Sequence, residues 1–253
     1  MSRKARMRFF RLLHISSLDV VFGAVAMQAL LWSVLVGGIQ PWPEQIVLGV
    51  SVWIFYLADR QLDNIVHHPT DAIHLFHERH PLFIRGLIGV LLGCLGYLMA
   101  FLSADLIRLG ICLTIGMVLY GSVLKYWHHI WLPKELFTSL LYAAGLFLPS
   151  YAAGKFSGLL FIHVVLLALM NLSLFTWLEG HLKFRTLFMG LQWALLAILP
   201  SIFWFFGWEL ALCLAIIQGI HVGIYYFSPN LQYRWVGELA FLSPVLYFVY
   251  ELF

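Results

Sequence analysis

Charged residues are scarce in this sequence: Asp, Glu, Lys and Arg make up 11% of the 253 residues, whereas 62% are hydrophobic. Soluble domains carry about 25% charged residues, so this chain cannot cover itself with a hydrated surface. A bilayer must then be the solvent for most of the chain, and there the backbone has to form helices or a closed barrel. The apolar stretches run for about 18–22 residues without strand-like alternation, which favours helices that cross a membrane.

Cysteine and leader signals are also scarce. Cys94, Cys112 and Cys213 all lie in apolar stretches, so neither a disulfide framework nor a metal-ligand spacing is indicated. No cleavage motif of small residues follows the basic N-terminus, so we predict no signal peptide. We interpret residues 1–16 as a basic cytoplasmic segment on an anionic membrane surface, in preference to a transit peptide. Its basic residues are Arg3, Lys4, Arg6, Arg8 and Arg11.

The apolar pattern predicts an all-α, polytopic membrane protein with about nine transmembrane helices. Pro and Gly residues mark the joins between them, and we find neither a soluble domain nor an internal repeat. We therefore predict a single transmembrane domain over residues 1–253. The predicted spans are 17–38, 44–62, 82–101, 104–124, 135–153, 159–179, 186–205, 208–227 and 236–252.

The basic residues predict the orientation. Only Arg108 and Lys155 fall on one side of the predicted topology, and the other 13 of the 15 Lys and Arg residues fall on the opposite side. By the positive-inside rule the N-terminus is cytoplasmic, and the odd number of spans places the C-terminus across the membrane. The predicted cytoplasmic linkers are 63–81, 125–134, 180–185 and 228–235. We expect an integral protein of a bacterial cytoplasmic membrane that contacts lipid and binds no nucleic acid.

Two carboxylates stand out at the end of the second span. Asp59 and Asp63 are four residues apart in YLADRQLDNIVHHPTD (56–71), so on a helix they share one face and repel each other. Carboxylates near hydrocarbon are costly, and hard Mg²⁺ prefers carboxylate oxygens together with substrate phosphates. The pattern favours a divalent metal between them. The alternative is a pair of solvated carboxylates at a helix end.

Two further polar clusters lie on the same predicted face. Glu179 is the only acid in NLSLFTWLEGHLKFR (171–185), and Lys183 follows at i+4, so an ordinary ion pair is one interpretation. Lys125 and Lys134 join the fourth and fifth spans, where they either bind an anion or simply reflect the positive-inside bias.

The linker 67–80 is rich in histidine, with His74, His77 and His80 at intervals of three. A metal site of the di-iron oxidase type is one interpretation, although such sites draw histidines from several helices. A pH-sensitive or phosphate-contacting loop is the preferred alternative.

The arrangement of these segments resembles the UbiA superfamily of intramembrane prenyltransferases, of which the chain would be a divergent member. YLADRQLD (56–63) is similar to the Asp-Arg-x-x-Asp form of the first acidic motif, and NLSLFTWLEG (171–180) is similar to the segment that leads into the second. LPKELFTSLLYAAG (132–145) resembles the start of the fifth span. The resemblance covers nearly the whole chain as an arrangement of nine spans in a UbiA-like bundle.

The resemblance implies a function. Mg²⁺ held by Asp59, Asp63 and Glu179 as catalytic metal ligands would grip a prenyl diphosphate, whose allylic carbon ionises and is attacked by a small lipophilic acceptor, usually an aromatic ring. Such an enzyme is a transferase of alkyl groups other than methyl. Basic residues would contact the diphosphate, and we assign this role to Arg60, Arg79, Lys125, Lys134 and Lys183.

The sequence departs from the family pattern at both motifs. Ala58 stands where the first motif usually has Asn, and Asp71 is out of register as a third ligand. In the second motif, Glu179 and Lys183 stand where two Asp are usual. Two alternatives therefore remain open: a class I terpene cyclase on the same scaffold, and a non-catalytic relative that binds or transports an isoprenoid lipid. Neither the acceptor, nor the prenyl chain length, nor the oligomeric state follows from the sequence.

Overall fold

The computed structural model describes residues 16–66, 72–126, 134–180, 182–227, 229 and 234–250, and every regular element in them is an α-helix. The predicted basic segment 1–16 therefore lies almost entirely outside the described residues. These described residues contain eleven helices. They are α1 (Leu18–Leu35), α2 (Trp42–Val66), α3 (Ala72–Arg79), α4 (Pro81–Met99), α5 (Ala104–Tyr126), α6 (Lys134–Ala152), α7 (Gly158–Leu178), α8 (Lys183–Phe206), α9 (Trp208–Phe227), α10 (Arg234–Ala240) and α11 (Pro244–Tyr250).

Each of the first eight predicted spans coincides with one helix. Glycines with positive φ lie in the joins where they were expected, as at Gly154 (+73°) and Gly207 (+93°), because only glycine adopts this conformation without strain. Ser157 caps the start of α7 by accepting a hydrogen bond from the backbone N–H of Leu160 at 3.4 Å. The predicted linker 63–81 is helical in part, since α2 continues to Val66 and α3 lies within the linker.

Among the described residues, five helices are long and apolar enough to cross a membrane: α1, α4, α7, α8 and α9. These helices bear out an α-helical membrane protein, as the composition predicted. The number of spans stays a prediction.

The predicted ninth span, 236–252, is not one continuous helix. Two short helices, α10 and α11, are joined by a turn at residues 241–243. The backbone bonds of this turn run from residue i+3 to residue i, as from Ser243 N–H to the Ala240 carbonyl at 3.0 Å. Pro244 begins α11 and has no N–H to continue an α-helical ladder. The Ser243 hydroxyl donates instead to the Cys213 carbonyl of α9 at 3.1 Å.

The chain divides into two compact units. Unit 1 comprises Met1–Val25 and Pro41–Leu102, and unit 2 comprises Ala26–Gln40 and Ser103–Phe253. The core of unit 1 is built on Leu57, Ile84 and Leu91, against which Trp53 and Phe76 pack. The single transmembrane domain stays a prediction.

Helix α7 is the centre of unit 2. It buries a continuous apolar stripe of Leu160, Val164, Leu167, Met170 and Leu174, each at most 1% exposed. Helix α7 is apolar all round, as suits a packed core or a bilayer rather than a face toward water. Its last turn and the segment after it lead into the candidate site.

Candidate functional site

The first acidic segment lies in unit 1. Helix α2 is unbroken from Trp42 to Val66, so the backbone positions of Asp59 and Asp63 are one helical turn apart. The spacing assumed from the sequence is therefore present. Asp59 is half-buried, and the side chain of Asp63 lies outside the described part of the structure.

The two arginines assigned to the diphosphate in unit 1 lie in different environments. Arg60 is buried at 8% exposure, whereas Arg79 is exposed at the last residue of α3. The Gln61 amide donates to the backbone carbonyl of His77 at 3.3 Å, which ties α3 to the end of α2. His77 is fully buried, so this histidine of the linker belongs to the interior of unit 1. The diphosphate contacts of Arg60 and Arg79 stay predictions.

The second acidic segment ends α7 in unit 2, where Glu179 contacts an arginine that the sequence did not single out. Arg234, at the start of α10, donates from Nη1 to Glu179 Oε1 at 3.1 Å and from Nε to Glu238 Oε1 at 3.0 Å. Its guanidinium lies over the ring of Phe175, 5.3 Å from the ring centre, a cation–π contact. One guanidinium thus joins the carboxylate that follows α7 to a carboxylate of α10.

The ion pair between Glu179 and Lys183 that the spacing suggested is not formed by these described residues. Helix α7 ends at Leu178, and Gly180 adopts a φ of +105°, so residues 179 and 183 are not related by a helical turn. The Lys183 ammonium is instead 5.4 Å from the centre of the Phe184 ring. Lys183 is exposed, and its contact with a diphosphate stays a prediction.

A buried polar pair lies about two helical turns before Glu179 in unit 2. His221 of α9 is fully buried, and its Nε2 lies 2.7 Å from Asn171 Oδ1 of α7. Its Nδ1 lies 2.7 Å from the Ile217 carbonyl. Helix α10 closes over this pair at Gly237, where an added Cβ would lie 2.7 Å from Phe175 Cζ and 3.4 Å from His221 Nε2.

The start of α6 belongs to the same polar end of unit 2. Thr176 of α7 donates to the carboxylate of Glu135 at 3.3 Å, which places the first turn of α6 beside the last turn of α7. Phe137 stacks on Tyr120 of α5, with ring centres 3.5 Å apart. Lys134 is exposed, and the side chain of Lys125 lies outside the described residues. The anion-binding roles of both lysines stay predictions.

The described residues contain no group of three or more His, Cys, Asp or Glu side chains that is arranged to hold a metal ion. The carboxylates of Asp59 and Asp63, a turn apart, are the donor type that Mg²⁺ prefers. Glu179 does not fit a metal site in the same way, because a guanidinium already contacts its carboxylate. The predicted third ligand Asp71 lies outside the described residues.

Sequence reasoning missed Arg234, Glu238, His221 and Asn171 as members of one cluster. The available signals were weak: Asn171, Phe175 and Glu179 recur every four residues, and Arg234 and Glu238 are also four apart.

Comparison of the chain with protein-family models, with curated proteins and with solved structures finds no match. The site is therefore interpreted from its own residues.

Proposed function

We propose that the chain is an intramembrane prenyltransferase, which moves a prenyl group from a prenyl diphosphate to a small lipophilic acceptor, preferably an aromatic one. The observation that carries the proposal is the pair Asp59 and Asp63, one turn apart at the end of a long helix in a chain of otherwise apolar helices. A prenyl diphosphate has matching chemistry, since its head is anionic and its tail is a hydrocarbon that dissolves in a membrane.

The proposal includes a finer topology: nine spans in a UbiA-like bundle, with the N-terminus in the cytoplasm of a bacterial cell. Its support is the coincidence of the first eight predicted spans with helices and the uneven distribution of Lys and Arg along the chain. It also rests on the contacts Glu135–Thr176 and Glu179–Arg234, which join the chain segments predicted to lie on the cytoplasmic side.

In the proposed reaction, the bond between the allylic carbon and the diphosphate oxygen breaks, and the diphosphate leaves with the electron pair. A carbon of the acceptor bonds to the allylic cation and then loses a proton. Mg²⁺, held by Asp59 and Asp63, would neutralise charge that develops on the leaving diphosphate. The chain itself supplies positive charge through its basic residues and keeps water from the cation by its apolar helices.

A specific observation favours a second candidate, a non-catalytic relative that binds an isoprenoid diphosphate. The carboxylate of Glu179 is committed to Arg234, which weakens the second acidic motif that a metal-dependent enzyme would use. A class I terpene cyclase is the further alternative, and it differs in forming product without an acceptor.

Mass spectrometry of lipids tests the proposal. Membranes that contain the chain are incubated with Mg²⁺ and a prenyl diphosphate, with and without added aromatic acceptor. A matched pair of variants is Asp59→Asn and Asp105→Asn, because Asp105 is an exposed carboxylate whose partner is Arg108. We expect Asp59→Asn to lose at least about 10²-fold in product formation, the scale for one preorganised electrostatic contact, and Asp105→Asn to lose none.

Three outcomes would contradict the proposal. A folded Asp59→Asn variant with wild-type turnover would remove the first acidic segment from the mechanism. Product without added or endogenous acceptor would identify a cyclase. Binding of prenyl diphosphate without its consumption would identify the non-catalytic candidate.

A further inference from the structure

The ion triad at the end of unit 2 is held in a fixed geometry. Arg234 uses two different edges of its planar guanidinium, Nε toward Glu238 and Nη1 toward Glu179. Its side chain is 12% exposed, that of Glu238 is 7% exposed and that of Glu179 is 45% exposed. The triad is therefore partly shielded from water. A charge that is shielded in this way needs a partner of opposite charge.

Neighbouring helices hold the triad in place. Helix α10 carries both Arg234 and Glu238, four residues apart on one face. The same helix approaches α7 closely at Gly237, against Phe175, and the Phe175 ring lies beneath the guanidinium. The separation between Glu179 and the segment that bears Glu238 is thus set by packing as well as by charge.

A guanidinium between two carboxylates supplies one positive charge where a divalent cation would supply two, and its N–H groups donate to both carboxylates. The proposed function implies a metal ion at the second acidic motif, and the residues there do not fit one, because the carboxylate that would be its ligand already binds Arg234. We propose that Arg234 takes the place of that cation, so that Glu179 and Glu238 hold a guanidinium and bind no metal. Divalent ions are then bound by the first acidic segment alone.

This inference deepens the proposed function, in that it states how the second motif works without a metal, but its test uses no prenyl diphosphate. The purified full chain in detergent is titrated with Mn²⁺, and the bound ions are counted by electron paramagnetic resonance. The variants are Glu179→Gln, Arg234→Met, and the double variant Glu179→Gln/Arg234→Met. Arg185→Met is the matched control, because the guanidinium of Arg185 donates to the phenol oxygen of Tyr225 at 2.9 Å rather than to a carboxylate.

We expect Glu179→Gln to bind as many Mn²⁺ ions as the wild type, because Glu179 holds none while Arg234 is present. Arg234→Met should gain one Mn²⁺ between the two carboxylates that it leaves, and the double variant should lose this additional ion. Arg185→Met should match the wild type.

Loss of one Mn²⁺ in Glu179→Gln would overturn the inference, and this variant keeps the contact between Arg234 and Glu238, so the test stands even if Arg234→Met does not fold. A folded Arg234→Met protein that gains no ion would also overturn it. Failure of the chain to consume prenyl diphosphate would contradict the proposed function. It would not contradict the role of Arg234, because the number of bound Mn²⁺ ions is measured without prenyl diphosphate.

Discussion

The two acidic segments differ in how their charged residues are brought together. In unit 1, Asp59 and Asp63 lie on one helix, and a four-residue spacing in the sequence brings them together. In unit 2, Glu179 follows the end of α7 and Glu238 lies on α10, and both contact Arg234, which is 55 residues after Glu179. Spacing along a helix therefore reveals the first arrangement, whereas only the packing of α10 against α7 creates the second.

This difference has a chemical consequence. Two carboxylates a turn apart on one helix repel each other, and the cation proposed for them, Mg²⁺, comes from solution. Two carboxylates joined by an arginine have their cation supplied by the chain. The first segment should respond to divalent ions, and the second should respond to the loss of Arg234.

The largest effect on stability should come from Arg234→Met. The substitution leaves Glu238 as a buried carboxylate without this guanidinium, and breaking a buried pair by removing one partner costs about 3–5 kcal/mol. Because Glu179 is 45% exposed, we expect a loss at the lower end of that range in the free energy of unfolding, measured by denaturant titration in detergent.

The double variant Arg234→Met/Glu238→Gln sharpens this comparison. If the loss comes from an uncompensated carboxylate, neutralising Glu238 should restore part of the stability, as a double-mutant cycle measures. A loss of equal size in the double variant would mean that the packing of Arg234 on Phe175, rather than its charge, stabilises this end of unit 2.

A smaller effect is expected from Gly237→Ala. The added Cβ would lie 2.7 Å from Phe175 Cζ, and Phe175 is only 2% exposed, so α10 or the ring must shift. Overpacking of this kind costs about 1–3 kcal/mol, offset by up to about 1 kcal/mol from the higher helix propensity of Ala. We expect a net loss of stability and weaker contact between Arg234 and Glu179.

Gly219→Ala in α9 is the control for this substitution, because nothing lies within 4 Å of its added Cβ. The control should be neutral or slightly stabilising. If both alanine variants unfold at the same denaturant concentration, the close approach of α10 to Phe175 contributes nothing to the fixed geometry of the triad.

The sequence predicted the helices well because their signal is local. Apolar stretches of membrane length gave α1, α4, α7, α8 and α9 to within three residues at each end. The break at 241–243 went unpredicted although Pro244 lies inside the ninth apolar stretch. A proline is one signal of such an interruption, although α6 and α8 continue through Pro149 and Pro200.

Only half of the candidate site could be predicted, because sequence patterns report contacts between residues that are close along the chain. Lys183 is close to Glu179 in sequence, but Gly180 ends the helix between them with a φ of +105°, and glycine at this position is a known stop signal. Arg234 lies far along the chain, so its contact with Glu179 depends on tertiary packing, which helix periodicity does not encode. The His221–Asn171 pair, separated by 50 residues, escaped notice for the same reason.

The smallest effect should come from the ion pair between Asp105 and Arg108. These residues are three apart on α5, their closest atoms are 3.5 Å apart, and their side chains are 76% and 78% exposed. Exposed pairs of this kind frequently contribute nothing measurable to stability, because solvent screens the charges and ordering the side chains costs entropy.

We expect Arg108→Ala to unfold at the same denaturant concentration as the wild type. Two charged residues that are close in sequence therefore need not stabilise the fold. The ion pairs of Arg234, which include one with the distant Glu179, should contribute far more to the free energy of unfolding. A loss for Arg108→Ala as large as that for Arg234→Met would contradict this ranking. Arg108 is also one of the two basic residues predicted on the outer side, so its removal should leave reporter fusions at both termini in their wild-type orientation.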